Sequence, residues 1–417
     1  MANTILNPSI IAKAAVRILD NELVMANKVF RGYEEEFRQS VNGYKKGASI
    51  TIRKSNQFTV RTGAVASVQD VTEGSETFTI NQQIGVDFQF SSSELTLNIG
   101  ELAERVMRPA MITLANKIDQ DLLSLYKDVS NWVGTPGSTV QSFAGFAKAP
   151  ERMDLLAVPD DQRAAVLSPT DHWALAGSQT ALYMQDVARN AYRKGAIGMI
   201  GGIDTYMTQN IQTHTVGPMG GTPLVNGAGQ NVNYSPSVKN TEYVPGTQTL
   251  NTDGWTNSAA SRVKQGDVFT IAGVFAVNPV TKATLPFLRQ FVVTADMSSD
   301  GAGVINNMPI APAIITTGAF QNVSAAPADN AALTFLGTAA TGYAQNLVFH
   351  KNAFGLVVVP MEKPPGAVDV ARESYKGLSV RVVPYYDGAN DVSKWRLDVL
   401  YGIKTLDPRL AVRLSGT

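Results

Sequence analysis

Cysteine is absent from all 417 residues. Its absence excludes disulfides, thiolate metal sites and cysteine nucleophiles together, and fits synthesis in a reducing cytoplasm. Histidine is almost absent too. His172, His214 and His350 are the three, and no two stand at metal-ligand spacing. A lone His among apolar strand residues, as at His350, reads as structural. The chain has no HExxH motif and no G-x-S-x-G elbow to anchor a serine nucleophile. Charge is sparse, 17% of residues, and balanced at 35 basic and 35 acidic. A dedicated nucleic-acid or membrane-surface binder needs a basic excess, and a near-neutral surface leaves self-association little opposed. No run approaches about eighteen continuous apolar residues, so no membrane-spanning helix is expected. The opening MANTILNPSIIAKAAVRILDNEL lacks the basic-then-apolar order of a signal peptide.

The Gly-rich GAIGMIGG, Gly195 to Gly202, lacks the GK[ST] ending of a phosphate loop and the G-x-G-x-x-G spacing. Its glycines are expected to pack in a buried crossing. The acidic runs Glu34–Glu36 and Asp160–Asp161 read as solvated faces. No catalytic, cofactor or metal site is expected.

What the chain does contain is architecture. Asn7 and Pro8 suit an N-cap and first helical position. Ile10, Ile11, Ala14 and Ile18 follow at helical spacing, predicting a helix to about Phe30. From Gly43 the period changes to two. GYKKGASITIRKSNQFTVRTG carries Lys45, Lys46, Arg53, Lys54 and Arg61 and no acid. The next stretch, to Leu95, carries Asp70, Glu73, Glu76, Asp87 and Glu94 and no base. These two β-like arms have one apolar face each, and such a hairpin is marginal alone. Leu102, Val106, Ala110, Leu114, Ile118 and Leu122 then recur every four residues and predict the longest helix, Asn98–Val129. Pro109 should kink it or mark its firm start.

From about Phe143 the pattern is mixed α/β. RAAVLSP reads as a short buried strand. Ser168 reads as a helix cap, with Pro169 at the first position and Asp171 in the first turn. From Gly217 to Ala344 the chain turns pale, with eleven charged residues in 128 positions. Short alternating runs are separated by turn signals such as QGD and NPVTK, the pattern of a small all-β sandwich or barrel. NAFGLVVVPM, LSVRVVPYYD and WRLDVLYGIKTLDPRLAVRL then resume the mixed pattern. The pale block reads as an insertion into another domain.

At this point the sequence resembles a family. AYRKGAIGMIGGIDTYMTQNIQTHT, with Ala191, Tyr192, Arg193, Gly195, Ile197, Gly202 and Asp204, is similar to the segment that precedes the inserted domain in coat proteins of the Salmonella phage P22 group. Lys264, Gly266 and Asp267 match that family's K-x-G-D turn, and Ala272, Gly273 and Val274 its A-G-V strand end. Tyr401, Gly402 and Pro408 match its closing strands. Element order agrees over essentially the whole chain, while the N-terminal region and the loops of the insertion depart from the pattern.

The resemblance implies an α+β fold of the Hong Kong 97 phage capsid type, with an inserted all-β barrel-like domain. It implies an N-terminal helical arm at 1–42, an extended β loop at 43–92 and a peripheral domain with spine helix at 93–140. The axial domain would begin at 141–216, the insertion occupy 217–344, and closing strands of the axial and peripheral domains fill 345–417. The implied function is that of a major capsid protein, with no enzyme activity and no cofactor. The implied partners are many copies of itself in hexamers and pentamers, a scaffolding protein during assembly, a portal at one vertex, and packaged double-stranded DNA bound without sequence specificity. No membrane is involved. Assembly in the host bacterial cytoplasm would place the product in the virion capsid.

On the arm, Lys45, Lys46, Arg53, Lys54 and Arg61 are expected to meet Glu34, Glu35, Glu36, Glu73 and Glu76 between subunits. Two other classes fit the residues alone: a surface adhesin or carbohydrate-binding β module, and an enzyme with a β lid.

Overall fold

Pro8 opens the first helix, α1 (Pro8–Glu22). Ala12, Ala15, Val16 and Leu19 are buried at helical spacing. The helix stops well before Phe30, and its successor residues turn instead. A buried carboxylate offers a reason: Asp119 accepts the Val24 N–H at 2.7 Å and the Ala26 N–H at 3.0 Å. Those bonds replace the helical ones, and Leu23, Met25, Ala26 and Val29 stay buried in the turn.

These details come from a computed structural model, which describes residues 8–33, 40–41, 44–45, 49–53, 58, 60, 63–66, 68, 75–91, 106–179, 197–232, 247–258, 260–364, 370–375 and 378–417. The chain divides into two units. The first is Met1–Ile50, Thr77–Leu122 and Phe354–Lys404. The second is Thr51–Glu76, Leu123–Ala353 and Thr405–Thr417.

Helix α2 runs Arg108–Ser124, in the first unit up to Leu122, and the chain continues in a 3-10 turn, Leu125–Asp128. Pro109 is the second residue of α2. Helical backbone already precedes it at residues 106 and 107, so Pro109 does not open the helical run, and residues 98–105 lie outside the described set. The four-residue spacing becomes a buried stripe of Ala110, Leu114, Ile118 and Leu122. α1 lies against the strands Ala371–Tyr375 and Leu378–Asp387. Those strands join Val392–Thr405, Phe354–Val359 and Gln82–Ser91 in one sheet. Gln82–Ser91, read from sequence as the returning half of the arm, instead pairs along its whole length with Val392–Tyr401 of the same chain. Period two fixed its faces but not its partner. Within 43–92, the strands Ser49–Arg53 and Ser75–Thr79 pair with each other instead.

In the second unit, a six-stranded mixed sheet has the order Trp132–Val133, Ala411–Leu414, Asn346–His350, Arg163–Leu167, Ile203–Met207, Met199–Ile200. RAAVL is wholly buried, as are Asn346–His350 and Ala411–Leu414. Helices α3 (Phe143–Leu155) and α4 (Pro169–Gln179) supply Phe146, Met153 and Leu175 to a core shared with Leu167, Val348 and Val412. Ser142 caps α3 by accepting the Gly145 N–H at 3.1 Å. Ser168 caps α4 by accepting the Asp171 N–H at 3.1 Å, as its spacing predicts. Asp171 is no surface charge: it is buried, and it accepts from Val140 N and Asn346 Nδ2. Gly198, Gly201 and Gly202 adopt positive φ and face open space where a Cβ would stand. They shape turns rather than a buried crossing, which corrects the packing expectation.

The same unit holds the pale block as an antiparallel sheet of order Gly221–Val225, Gln248–Trp255, Ile305–Ala311, Thr284–Val293, Val268–Val277, Leu333–Phe335. First and last strands meet through a Leu224–Ala332 bridge and the bonds Val225 N to Ala331 O and Asn330 N to Val225 O. That closes the sheet on itself, and closure removes exposed edges. Leu250, Trp255, Phe269, Ile271, Phe291 and Ile310 fill the interior.

Candidate functional site at the foot of the β block

The chain enters the block through Thr213–Thr215 and leaves it through Gly342–Ala344. The two segments pair antiparallel, with His214 opposite Tyr343. Among nearly uncharged residues, the K-x-G-D turn brings a single carboxylate to this neck. Asp267 is 1% exposed. A buried charge needs several partners, and Asp267 has them. It accepts His214 Nε2 at 2.8 Å, the Lys264 N–H at 2.7 Å and the Gly217 N–H at 3.1 Å.

A carboxylate only accepts, so His214 Nε2 carries the proton. In the neutral ring Nδ1 then accepts the Tyr126 hydroxyl, 3.1 Å away. Burial raises the Tyr126 hydroxyl above the ordinary phenol range, which keeps it protonated. Gly266 must be glycine: its φ is +98°, and a Cβ would stand 3.1 Å from the His214 ring. Gly217 has a different constraint, since a Cβ there would press on Arg262 O, Asp267 and Val263.

The turn is tied to the core sheet from the other side. Arg413 is fully buried and donates to Gly266 O at 2.8 Å. Its guanidinium lies 5.1 Å from the Tyr126 ring centre and 5.8 Å from that of Trp132. Burial lowers it to about 10, with Tyr126, Asp128 and Asp267 opposing that shift. Gln290 in the block imitates a strand partner for Trp132. It accepts the Trp132 N–H at 2.8 Å and donates to the Trp132 carbonyl at 2.7 Å. Trp132 Nε1 donates to Ser415 Oγ at 2.9 Å. The Tyr126–His214–Asp267 chain has the order of a proton relay but ends in packing on both sides. The arrangement ties the β block to the six-stranded sheet.

Residues 2–416 match the family model for the P22 coat protein, gene protein 5. The chain belongs to the P22 coat protein family. A curated relative, the major capsid protein of Acyrthosiphon pisum secondary endosymbiont phage 1, is 23% identical over 387 residues, 89% of each chain. A solved structure from Mycobacterium phage Che8 aligns with 94% of this chain and 90% of its own, at 13% identity and TM-score 0.49. The CUS-3 coat protein I-domain aligns with 28% of this chain and 96% of its own, at 25% identity and TM-score 0.21. Within the P22 coat protein family this chain is a shell-forming major capsid protein of a phage, with an α+β capsid fold. It is a structural protein and not an enzyme, which removes the β-lid reading.

The structure places the ten residues expected at subunit contacts unevenly. Glu34, Glu35, Glu36, Lys46, Lys54, Arg61 and Glu73 lie outside the described residues. Lys45 lies in the short strand Tyr44–Lys45 and Arg53 ends Ser49–Arg53. Glu76 is half-buried in Ser75–Thr79. Sequence reading took Asp267 as the opening of a strand and missed it as an anchor, and it missed Arg413 and Gln290 altogether. A usable signal existed: each is a lone polar residue beside a buried apolar strand, where it must find a partner.

Proposed function

We propose that many copies of this chain form pentamers and hexamers that close into an icosahedral shell around double-stranded DNA. Ring contacts of one kind repeat and close on themselves. In this reading, 1–42 is an N-terminal arm, 93–140 carries the spine helix, 141–216 with 345–417 forms the axial and closing parts, and 217–344 is an inserted domain. Its foot, built on Asp267, fixes the insertion on the axial core. A scaffolding protein guides assembly in the host bacterial cytoplasm, and a portal takes one vertex. With no net charge, the shell holds DNA without the counterion-release attraction of a basic surface.

The observation that carries this reading is apolar surface on the arm and beside it. Phe58 is 58% exposed and Val60 96%, and Val65 and Val68 are exposed as well. Ile84, Val86, Phe88 and Phe90 form one face of a long strand, and none of the four is fully buried. In a shell, a second copy supplies the missing cover. Lys45, Lys46, Arg53, Lys54 and Arg61 then set register against Glu34, Glu35, Glu36, Glu73 and Glu76 of a neighbour. Each exposed pair contributes roughly 0–1 kcal/mol, weak enough for misplaced subunits to leave.

The test is electron microscopy of the expressed chain with and without a scaffolding partner. Closed particles or curved sheets are expected. The double variant Arg53→Glu, Lys54→Glu should keep the subunit's circular dichroism and melting but fail to make shells. Normal shells from that variant would remove the arm from the contact.

A further inference from the structure

Where the β block meets helix α3, positive charge outnumbers the acids beside it. Arg289, on the strand Thr284–Val293, is 4% exposed. Its Nε has no acceptor among the described residues, and neither does the buried Nη1 of Arg152 on α3. Two residues before Arg289, the Phe287 ring lies 3.6 Å under the Arg152 guanidinium. Arg409, in the 3-10 turn Pro408–Leu410, acts electrostatically on both Arg289 and Lys282. Phe287, Leu410 and Leu155 pack on one core cluster, which draws these elements together.

The acids nearby are committed. Asp407 takes the Arg409 fork at 2.8 to 3.3 Å. Glu151 pairs with Lys148 at 3.0 Å. Lys282 Nζ donates to the Ala319 and Gln321 carbonyls. Arg289 therefore stands at the base of a seam whose rim, Arg152, Arg409 and Lys282, is half-buried.

We propose that this seam binds a phosphate-type oxyanion, with Arg289 beneath it and Arg152 and Arg409 at its sides. A buried guanidinium N–H without an acceptor is costly, and planar Arg donors match the oxygens of a phosphate. Burial, with the Arg152 and Arg409 charges added, lowers Arg289 to about 10, and burial lowers Arg152 to about 10 against the opposing charge of Glu151. Part of the Arg289 shift comes from the neighbouring Arg152 and Arg409 charges, which a bound anion would offset. The anion would sit between the inserted domain and the axial core and brace one on the other.

The test titrates inorganic phosphate into the full-length unassembled subunit by calorimetry, at fixed pH and ionic strength. Saturable binding is expected in the wild type. Arg289→Met should weaken it by about tenfold or more, and should melt no lower than wild type without phosphate, because a poorly compensated charge is gone. If that variant does not fold, Arg152→Gln serves, and a clear loss of affinity is again expected. A second titration uses a short DNA oligonucleotide. Binding of the oligonucleotide alone, lost with Arg289→Met, identifies a polymer backbone as the phosphate source. No saturable binding of either probe, or equal affinity in the variants, overturns the site.

Discussion

Two antiparallel sheets in this chain treat their apolar residues in opposite ways. The β block, from Gly221 to Phe335, folds its sheet until the first and last strands meet, and Phe269, Ile271 and Phe291 lie wholly inside. The sheet that holds Gln82–Ser91 stays open. Along that strand, residues alternate between half-buried and exposed, and none is fully buried. Closure lets a sheet complete its core within one chain. An open sheet leaves part of its apolar face uncovered, and a shell subunit has neighbours to cover it. The pale composition of the block follows from the same difference. A closed barrel specifies itself by packing, so it needs few charges.

The largest expected effect tests the fastening of the block. Asp267→Ala removes the acceptor for His214, Gly217 N–H and Lys264 N–H at once. Breaking a buried pair by deleting one partner costs about 3–5 kcal/mol. Urea unfolding of the variant should show a midpoint far below wild type, with the loss concentrated in the second unit by hydrogen exchange. A midpoint near wild type would mean that packing alone holds the block on the core.

The open-sheet unit has its own buried carboxylate, in a less favourable setting. Burial pushes Asp119 from 3.8 up to about 6, against the pull of the Val24, Ala26 and Met25 amides. The folded state thus binds this proton more tightly than the unfolded chain does. Its contribution to stability is fully present below about pH 4 and is lost as pH rises through about 6. A shift of this size corresponds to roughly 3 kcal/mol. Asp119→Asn keeps an acceptor oxygen but cannot ionise. The gap in unfolding free energy between variant and wild type should therefore change between pH 4 and pH 7, wild type gaining on the acid side. A gap independent of pH would show that the three amides hold the carboxylate at its ordinary value.

How much of this was legible depends on the range of the interaction. Local rules worked where a few residues decide the outcome. Ser168 and Pro169 start α4, and RAAVL is a buried strand. The end of α1 was not local. Its apolar spacing runs on toward Phe30, but Asp119, 95 residues from Val24, takes the amides instead. The returning strand of the arm failed for a related reason. Alternation places Ile84, Val86, Phe88 and Phe90 on one face, yet nothing in it names Val392–Tyr401 as the partner. The foot of the block was half legible. A lone Asp in a pale stretch announces a partner, but His214 lies 53 residues away and Arg413 lies 146 residues beyond Asp267.

The smallest expected effect sharpens the comparison between the sheets. Phe88 is half-buried and touches Phe90 edge-to-face, with ring centres 5.7 Å apart. Phe291 is fully buried in the barrel interior. Deleting a ring from a complete core costs about 3–5 kcal/mol through lost transfer energy and the cavity left behind. An incompletely covered ring loses less burial and leaves no closed cavity, so Phe88→Ala should cost the isolated subunit about 1–2 kcal/mol. If a second copy completes that face, the same substitution should weaken assembly more than it weakens folding. The measurement is paired: urea midpoint of the free subunit, and the protein concentration at which shells first form. A Phe88→Ala subunit that loses as much stability as Phe291→Ala would show that the open sheet is already complete. One that assembles at the wild-type concentration would show that the cover comes from elsewhere than a sister chain.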